Sequence, residues 1–184
     1  MTIICPDKES QHMSKKIDAG SRMPEIALPK AGGGEVNLGG DGRWQVIVVY
    51  RGKHCPLCKP YLNGLGELRE SLTALGAEVM AISADPLEKV QADIDEFGWE
   101  FDVGYDLNPD QMRDLGLYIS NPRTDRDETD RPFAEPGLFV VRPDGNVHII
   151  DISNAPFARA DLTSLPGYLK YIIENDYPVR GTAS

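Results

Sequence analysis

Only three cysteines and three histidines occur among the 184 residues, which excludes a secreted disulfide framework and leaves little with which to build a metal centre. A structural zinc site normally needs four ligands. Beyond the pair Cys55 and Cys58, only Cys5, His12, His54 and His148 remain, scattered and without a second paired motif. No apolar run approaches the roughly 20 residues of a membrane span. The short apolar piece Thr2-Ile3-Ile4-Cys5 gives way at once to polar residues, where a secretory leader would need about seven or more apolar positions. Basic residues are also in deficit: 19 Lys and Arg against 29 Asp and Glu leave a net charge of −10, which opposes binding to nucleic acid or to an anionic membrane. There is no internal repeat and no long low-complexity block. These absences predict a cytoplasmic protein with no metal and no organic cofactor.

What is present reads as one domain. The first 16 residues are polar and unpatterned, a tail, and residues 17–184 carry the fold. Two short apolar pieces, Glu25 to Leu28 and Glu35 to Leu38, flank Ala31-Gly32-Gly33-Gly34 and predict a hairpin. Trp44 to Tyr50 is a near-continuous run rich in β-branched residues, expected as a central strand covered on both faces. Val79 to Ile82, Leu138 to Val141 and Val147 to Ile150 have the same character. Between them the period changes. Tyr61, Leu65, Leu68, Leu72 and Leu75 share one helical face and stop at Gly76. A second helix is expected with Asp85 as cap, Pro86 in the first turn and Leu87, Val90, Ile94 and Phe97 as its buried stripe. A short helix near Pro109 to Leu115 and a final one marked by Leu165, Leu169, Ile172 and Ile173 complete an α/β/α sandwich around a central sheet. The mixed charges of Ser120 to Glu135 predict an exposed connection.

The chemistry concentrates in Arg51-Gly52-Lys53-His54-Cys55-Pro56-Leu57-Cys58-Lys59-Pro60, which joins the central strand to the first helix. Unpaired backbone N–H groups at a helix start, with the helix dipole, stabilise an anion there, and a cysteine supplies one as thiolate. Residues 42–66 contain Arg43, Arg51, Lys53 and Lys59 and no acid, a basic island in an acidic chain. A free thiol with a pKa near ~8.5 needs only one or two units of depression, about 1.4 kcal/mol each, to be largely ionised at neutral pH. The spacing of Cys55 and Cys58 puts both sulfurs within one helical turn, which permits a reversible dithiol and disulfide cycle. A pair of structural buried thiols is the alternative reading. Cys5, in the tail, reads as a bystander.

Gly20-Ser21-Arg22-Met23-Pro24, then VVYRGKHCPLC, then Ile82-Ser83-Ala84-Asp85, then the run Glu135-Pro136-Gly137-Leu138-Phe139 continuing to Gly145, resemble the peroxiredoxin-like proteins of the alkyl hydroperoxide reductase and thiol-specific antioxidant group. The resemblance covers about Ile17 to Gly181 and implies a thioredoxin-like fold with an N-terminal hairpin extension. Typical peroxiredoxins carry Pro-x-x-x-Thr-x-x-Cys. Laid on that pattern, Cys58 takes the peroxide-attacking position, Cys55 replaces the threonine and Arg51 the proline. The arginine expected before the Gly-Leu-Phe strand is here Pro136, which instead resembles the cis-proline that thioredoxins place beside their C-x-x-C.

Two enzymatic readings follow from the resemblance. In one, Cys58 attacks a hydroperoxide and Cys55 resolves the sulfenic acid, with Arg51 or Lys53 stabilising the leaving oxygen. In the other, Cys55, expected to be the more exposed sulfur, attacks a substrate disulfide, Cys58 releases the product and Pro136 shapes the groove. A reducing partner of the thioredoxin or glutathione type and a homodimer are implied by the resemblance alone. The rival of another class is an interaction protein that kept the fold and lost catalysis.

His54, Lys53 and Lys59 are candidate modulators of the thiols, with a solvent-facing His54 as the plain alternative. Phe97, Trp99 and Phe101 surround a strand start and read as core, and His148 reads as an outward or hydrogen-bonded strand residue. Gly64 and Gly66 weaken the first half of the first helix. Asn154 to Arg159 (NAPFAR) and Tyr177 to Gly181 (YPVRG) carry no visible chemistry, and packing against the sheet is the default for both.

Overall fold

The computed structural model describes residues 16–40, 42–123 and 129–183, so residues 1–15 of the polar tail, with Cys5 and His12, lie outside the described residues. In chain order the elements are β1 (Ile26–Pro29), β2 (Glu35–Leu38), β3 (Trp44–Val49), α1 (Cys58–Ala74), β4 (Ala77–Ile82), α2 (Leu87–Phe97), β5 (Asp102–Gly104), α3 (Pro109–Asp114), β6 (Ile119–Ser120), β7 (Phe133–Ala134), β8 (Gly137–Val141), β9 (Val147–Ile152) and α4 (Leu165–Glu174).

Five strands form the central sheet in the order β5-β4-β3-β8-β9. β3 pairs in parallel with β4 and antiparallel with β8, which makes the sheet mixed and places β3 at its centre. The alternation of side chains along β3 explains why the run is apolar throughout. Val46, Val48 and Tyr50 point into a core shared with α1 (Leu62, Leu65), α4 (Leu169) and Val90 of α2. Ile47 and Val49 point the other way, against Met23, the β1–β2 hairpin, Met112 of α3 and Phe133. Both faces are sealed, each buried Val or Ile contributing roughly 1.5–3 kcal/mol of transfer free energy. This is the thioredoxin-like three-layer arrangement with an N-terminal hairpin.

Three local expectations are corrected. Asp85 does not cap α2: the N-cap is Pro86 and carries no side-chain cap bond, while the Asp85 carboxylate turns back to accept the Lys53 backbone N–H. Leu87 of the expected buried stripe is exposed, and Asp93 is buried on that helix in its place. Finally, the connection from Ser120 to Glu135 is not uniformly exposed, because Phe133, Ala134 and Glu135 are buried beside the C-x-x-C loop.

Candidate active site

The loop from Arg51 to Leu57 leaves the C-terminal end of β3 and enters α1, whose first residue is Cys58. The first turn of α1 holds no acid and its N-cap, Leu57, makes no side-chain cap bond, so the positive end of the helix faces the sulfurs uncompensated. The Cys58 N–H donates to the Cys55 carbonyl at 3.1 Å, and the Cys55 N–H to the Gly52 carbonyl at 3.1 Å, which winds the loop tightly under the helix. Gly52 is required there: its φ is +120°, and a Cβ would stand 2.6 Å from an Asp85 carboxylate oxygen.

Both cysteines are reduced and buried, Cys55 at 1% and Cys58 at 0% relative exposure, so the expected exposure of Cys55 is not found. They differ in charge preference. The Cys55 thiol is pushed down, first by the hydrogen bond from the Cys58 side chain and then by Arg51, the Cys58 backbone N–H and Arg159, against the cost of burial. Burial pushes Cys58 up, and the neighbouring Cys55 sulfur adds to it, with Arg159 opposing. The surroundings therefore favour the charged form of Cys55 and the thiol form of Cys58.

Arg159 is the residue the sequence reading left to packing. Its Nη2 donates to Cys58 Sγ at 2.9 Å and stands 3.9 Å from Cys55 Sγ. It arrives from the segment between β9 and α4, and its guanidinium carbon lies 4.9 Å from the Tyr61 ring centroid. The only signal in the sequence was an arginine inside the small-residue stretch NAPFAR. YPVRG, by contrast, lies away from the sulfurs: Tyr177 and Arg180 line a cavity between β9 and α4.

The basic island is real in composition but matched in space. Arg43 is paired with Glu78. Arg51 Nε stands 3.1 Å from Glu135 Oε2 in a charge contact rather than an aligned hydrogen bond, and its guanidinium lies over Phe133 at 4.8 Å. Lys53 and Lys59 converge on the fully buried Asp93, Lys53 at 3.0 Å and Lys59 in a close contact, and Lys59 lies over Phe97 and Trp99. Arg159 alone of these cations has no carboxylate partner among the described residues. His54 is half-buried and packs on Phe133 at 4.5 Å between ring centroids, so it does not face solvent freely.

Pro136 precedes β8 in a backbone paired on both sides: the Glu135 N–H donates to the Tyr118 carbonyl and the Pro136 carbonyl accepts from the Ser153 N–H. No peptide bond among the described residues is cis, which corrects the expected cis-proline. The backbone on either side is already held in extended pairing, and a trans bond continues it. Among the described residues no group of three or more His, Cys, Asp or Glu side chains could hold a metal ion. A cavity of about 420 Å³ opens beside the site between Leu57, Pro60 and Tyr61 on one side and Phe157, Arg159 and Leu162 on the other.

Comparison with known proteins places the chain in a family and a fold. The sequence model of the AhpC/TSA family matches residues 19–150. No protein of curated function matches the chain. Among solved structures, the chain is similar to a peroxiredoxin-like protein from Aquifex aeolicus, with a TM-score of 0.73 and 16% identity over 87% of this chain and 90% of that one. A mutant form of the peroxiredoxin 6 of Arenicola marina gives a TM-score of 0.73 at 14% identity, covering 87% and 75% of the two chains. Enterococcus faecalis AhpC gives 0.69 at 18% identity, covering 89% and 98%. At these identities the structural likeness speaks for the fold.

Proposed function

Because the chain belongs to the AhpC/TSA family, we propose that it is a thiol peroxidase that reduces hydroperoxides through a Cys55 and Cys58 dithiol cycle, with the Cys55 thiolate attacking first. The observation that carries the reading is the Arg159 guanidinium, within 2.9 Å of one sulfur and 3.9 Å of the other. A fixed donor at that place stabilises both the resting thiolate and the negative charge that develops on the departing oxygen.

The electrons and protons balance as follows. Cys55 S⁻ attacks one peroxide oxygen; the S–O bond forms, the O–O bond breaks, and the two electrons of the O–O bond leave with the alkoxide. That alkoxide takes the proton of the Cys58 thiol, giving the alcohol and a Cys55 sulfenic acid. Cys55 no longer carries charge, so the part of the rise in Cys58 that came from its neighbour is gone; burial still opposes ionisation, and Arg159 supports the Cys58 thiolate against it. Cys58 S⁻ attacks the Cys55 sulfur, the S–S bond forms, and hydroxide leaves to take a proton from solvent. A thioredoxin-type or glutathione-type thiol then returns the disulfide to the dithiol.

This order reverses the family-pattern assignment, in which Cys58 attacks. A disulfide reductase would also use a low-pKa first cysteine. What favours the peroxide is the family match together with the burial of both sulfurs, which a small oxidant reaches more readily in the resting dithiol than a protein disulfide does. The test is sulfenate trapping. Hydrogen peroxide should give a rapid adduct at Cys55 in Cys58→Ser and none in Cys55→Ser. Trapping at Cys58 instead restores the family order, and reduction of insulin disulfides without peroxide consumption replaces peroxidase by reductase.

A further inference from the structure

Arg159 lacks what fixes the other cations near the loop. Arg51, Lys53 and Lys59 each rest on a carboxylate. Arg159 Nε and Nη1 are buried without a hydrogen-bond partner, and only Nη2 makes contact with the sulfurs. The segment that carries it, residues 154–163, belongs to no strand or helix. Its own backbone bonds are local, such as Ala158 N–H to the Ala155 carbonyl at 3.2 Å.

One side chain of α1 reaches that segment twice. The Tyr61 hydroxyl donates to the Ala160 carbonyl at 3.0 Å, which ties down the residue after Arg159. The Tyr61 ring lies against the guanidinium itself at 4.9 Å, an attraction that strengthens when both partners are shielded from water. Tyr61 is half-buried, and burial pushes its phenol up to about 12, so the hydroxyl remains a donor throughout the range in which the protein works.

We infer that Tyr61 is the positioning residue of this site, holding Arg159 on the two sulfurs by one hydrogen bond to the neighbouring carbonyl and one face of its ring. The inference rests on the thiol chemistry proposed for the pair. The other charged groups around the sulfurs have supports of their own: Arg51 with Glu135 beside β7, and Lys53 and Lys59 with Asp93 on α2. Asp151 on β9 and Asp161 on the segment also act electrostatically on the Tyr61 phenol. Of these cations, Arg159 is the one that touches Tyr61.

A double-mutant cycle on the full-length reduced protein tests this, read as the pH dependence of Cys55 alkylation by iodoacetamide. Tyr61→Leu should raise the midpoint by roughly one pH unit, because it partly withdraws a cation from a thiolate. In an Arg159→Met background the same substitution should shift nothing further. Tyr61→Phe, which keeps the ring and loses the hydrogen bond, should fall between. An unchanged midpoint in folded Tyr61→Leu, or an equal shift in both backgrounds, overturns the inference. Should Tyr61→Leu lose its thermal transition, the cycle is decided with Tyr61→Phe by the same criteria. Alkylation needs no peroxide, so a protein that shows the cycle but consumes no hydroperoxide refutes the peroxidase reading and keeps the positioning role.

Discussion

Arg159 and Cys58 stand 101 residues apart in the chain and 2.9 Å apart in space. In the proposed chemistry this contact is what stabilises the charge that develops during attack on peroxide. Replacing Arg159 by Met removes the donor while keeping much of the stem's packing. The second-order rate constant for hydrogen peroxide should fall about 10²–10³-fold, the usual cost of losing one preorganised donor. Stopped-flow fluorescence on the reduced protein measures it, and a loss smaller than about threefold would remove Arg159 from the chemistry.

The two sulfurs imprint opposite slopes on stability against pH. Cys55 is depressed in the folded state, so between its folded value and the ordinary ~8.5 the unfolded chain binds more protons and stability rises with pH. Cys58 is raised, so above ~8.5 the folded state binds more protons and stability falls. Urea midpoints of the reduced protein from pH 6 to about 10 should show Cys55→Ser flattening the rising limb and Cys58→Ser flattening the falling one. A rising limb that survives Cys55→Ser would show that its thiolate is not the preferred anion.

Asp93 is fully buried between Lys53 and Lys59. Asp93→Asn keeps the shape but leaves Lys59, at only 15% side-chain exposure, without its counter-charge and Lys53 with only Glu96 at 3.7 Å. Breaking such a pair costs about 3–5 kcal/mol, which chemical denaturation would detect at once. A change below about 1 kcal/mol would mean that water already serves the lysines.

Gly52 supports the loop by having no side chain. Gly52→Ala puts a Cβ at +120° of φ and against the Asp85 carboxylate, and should cost about 2–4 kcal/mol. Adding Asp85→Ala should recover the steric part of the loss and leave the conformational part. An additive pair would refute the clash.

Much of the fold could be read in advance because it depends on local pattern. The run Trp44 to Tyr50 is apolar at every position for the reason the structure displays, two sealed faces, and the C-x-x-C sits at the helix start where its flanking strand and helical period put it. The site is legible only as far as its own loop. Asp93 stands beside Val90 and Ile94 with nothing in the spacing to mark it as buried, and its place becomes clear only where Lys53 and Lys59 converge on it. Glu135 ends a strongly charged connection, and nothing local distinguishes it from Asp127 or Glu128. Arg159 reaches the sulfurs because β9 and α4 return the chain past α1, a fact of topology that spacing alone does not encode.

Among the described residues, Arg43, Arg51, Lys53 and Lys59 are each answered by a carboxylate, in a molecule whose total charge is −10. Seen from more than a Debye length, roughly 8–10 Å at ordinary ionic strength, the entrance therefore presents no beacon to anions. Uncharged oxidants arrive by diffusion alone, indifferent to salt. In the proposed cycle an anionic reductant must cross the repulsion of the whole surface, so its half should be the one that quickens as electrolyte is added.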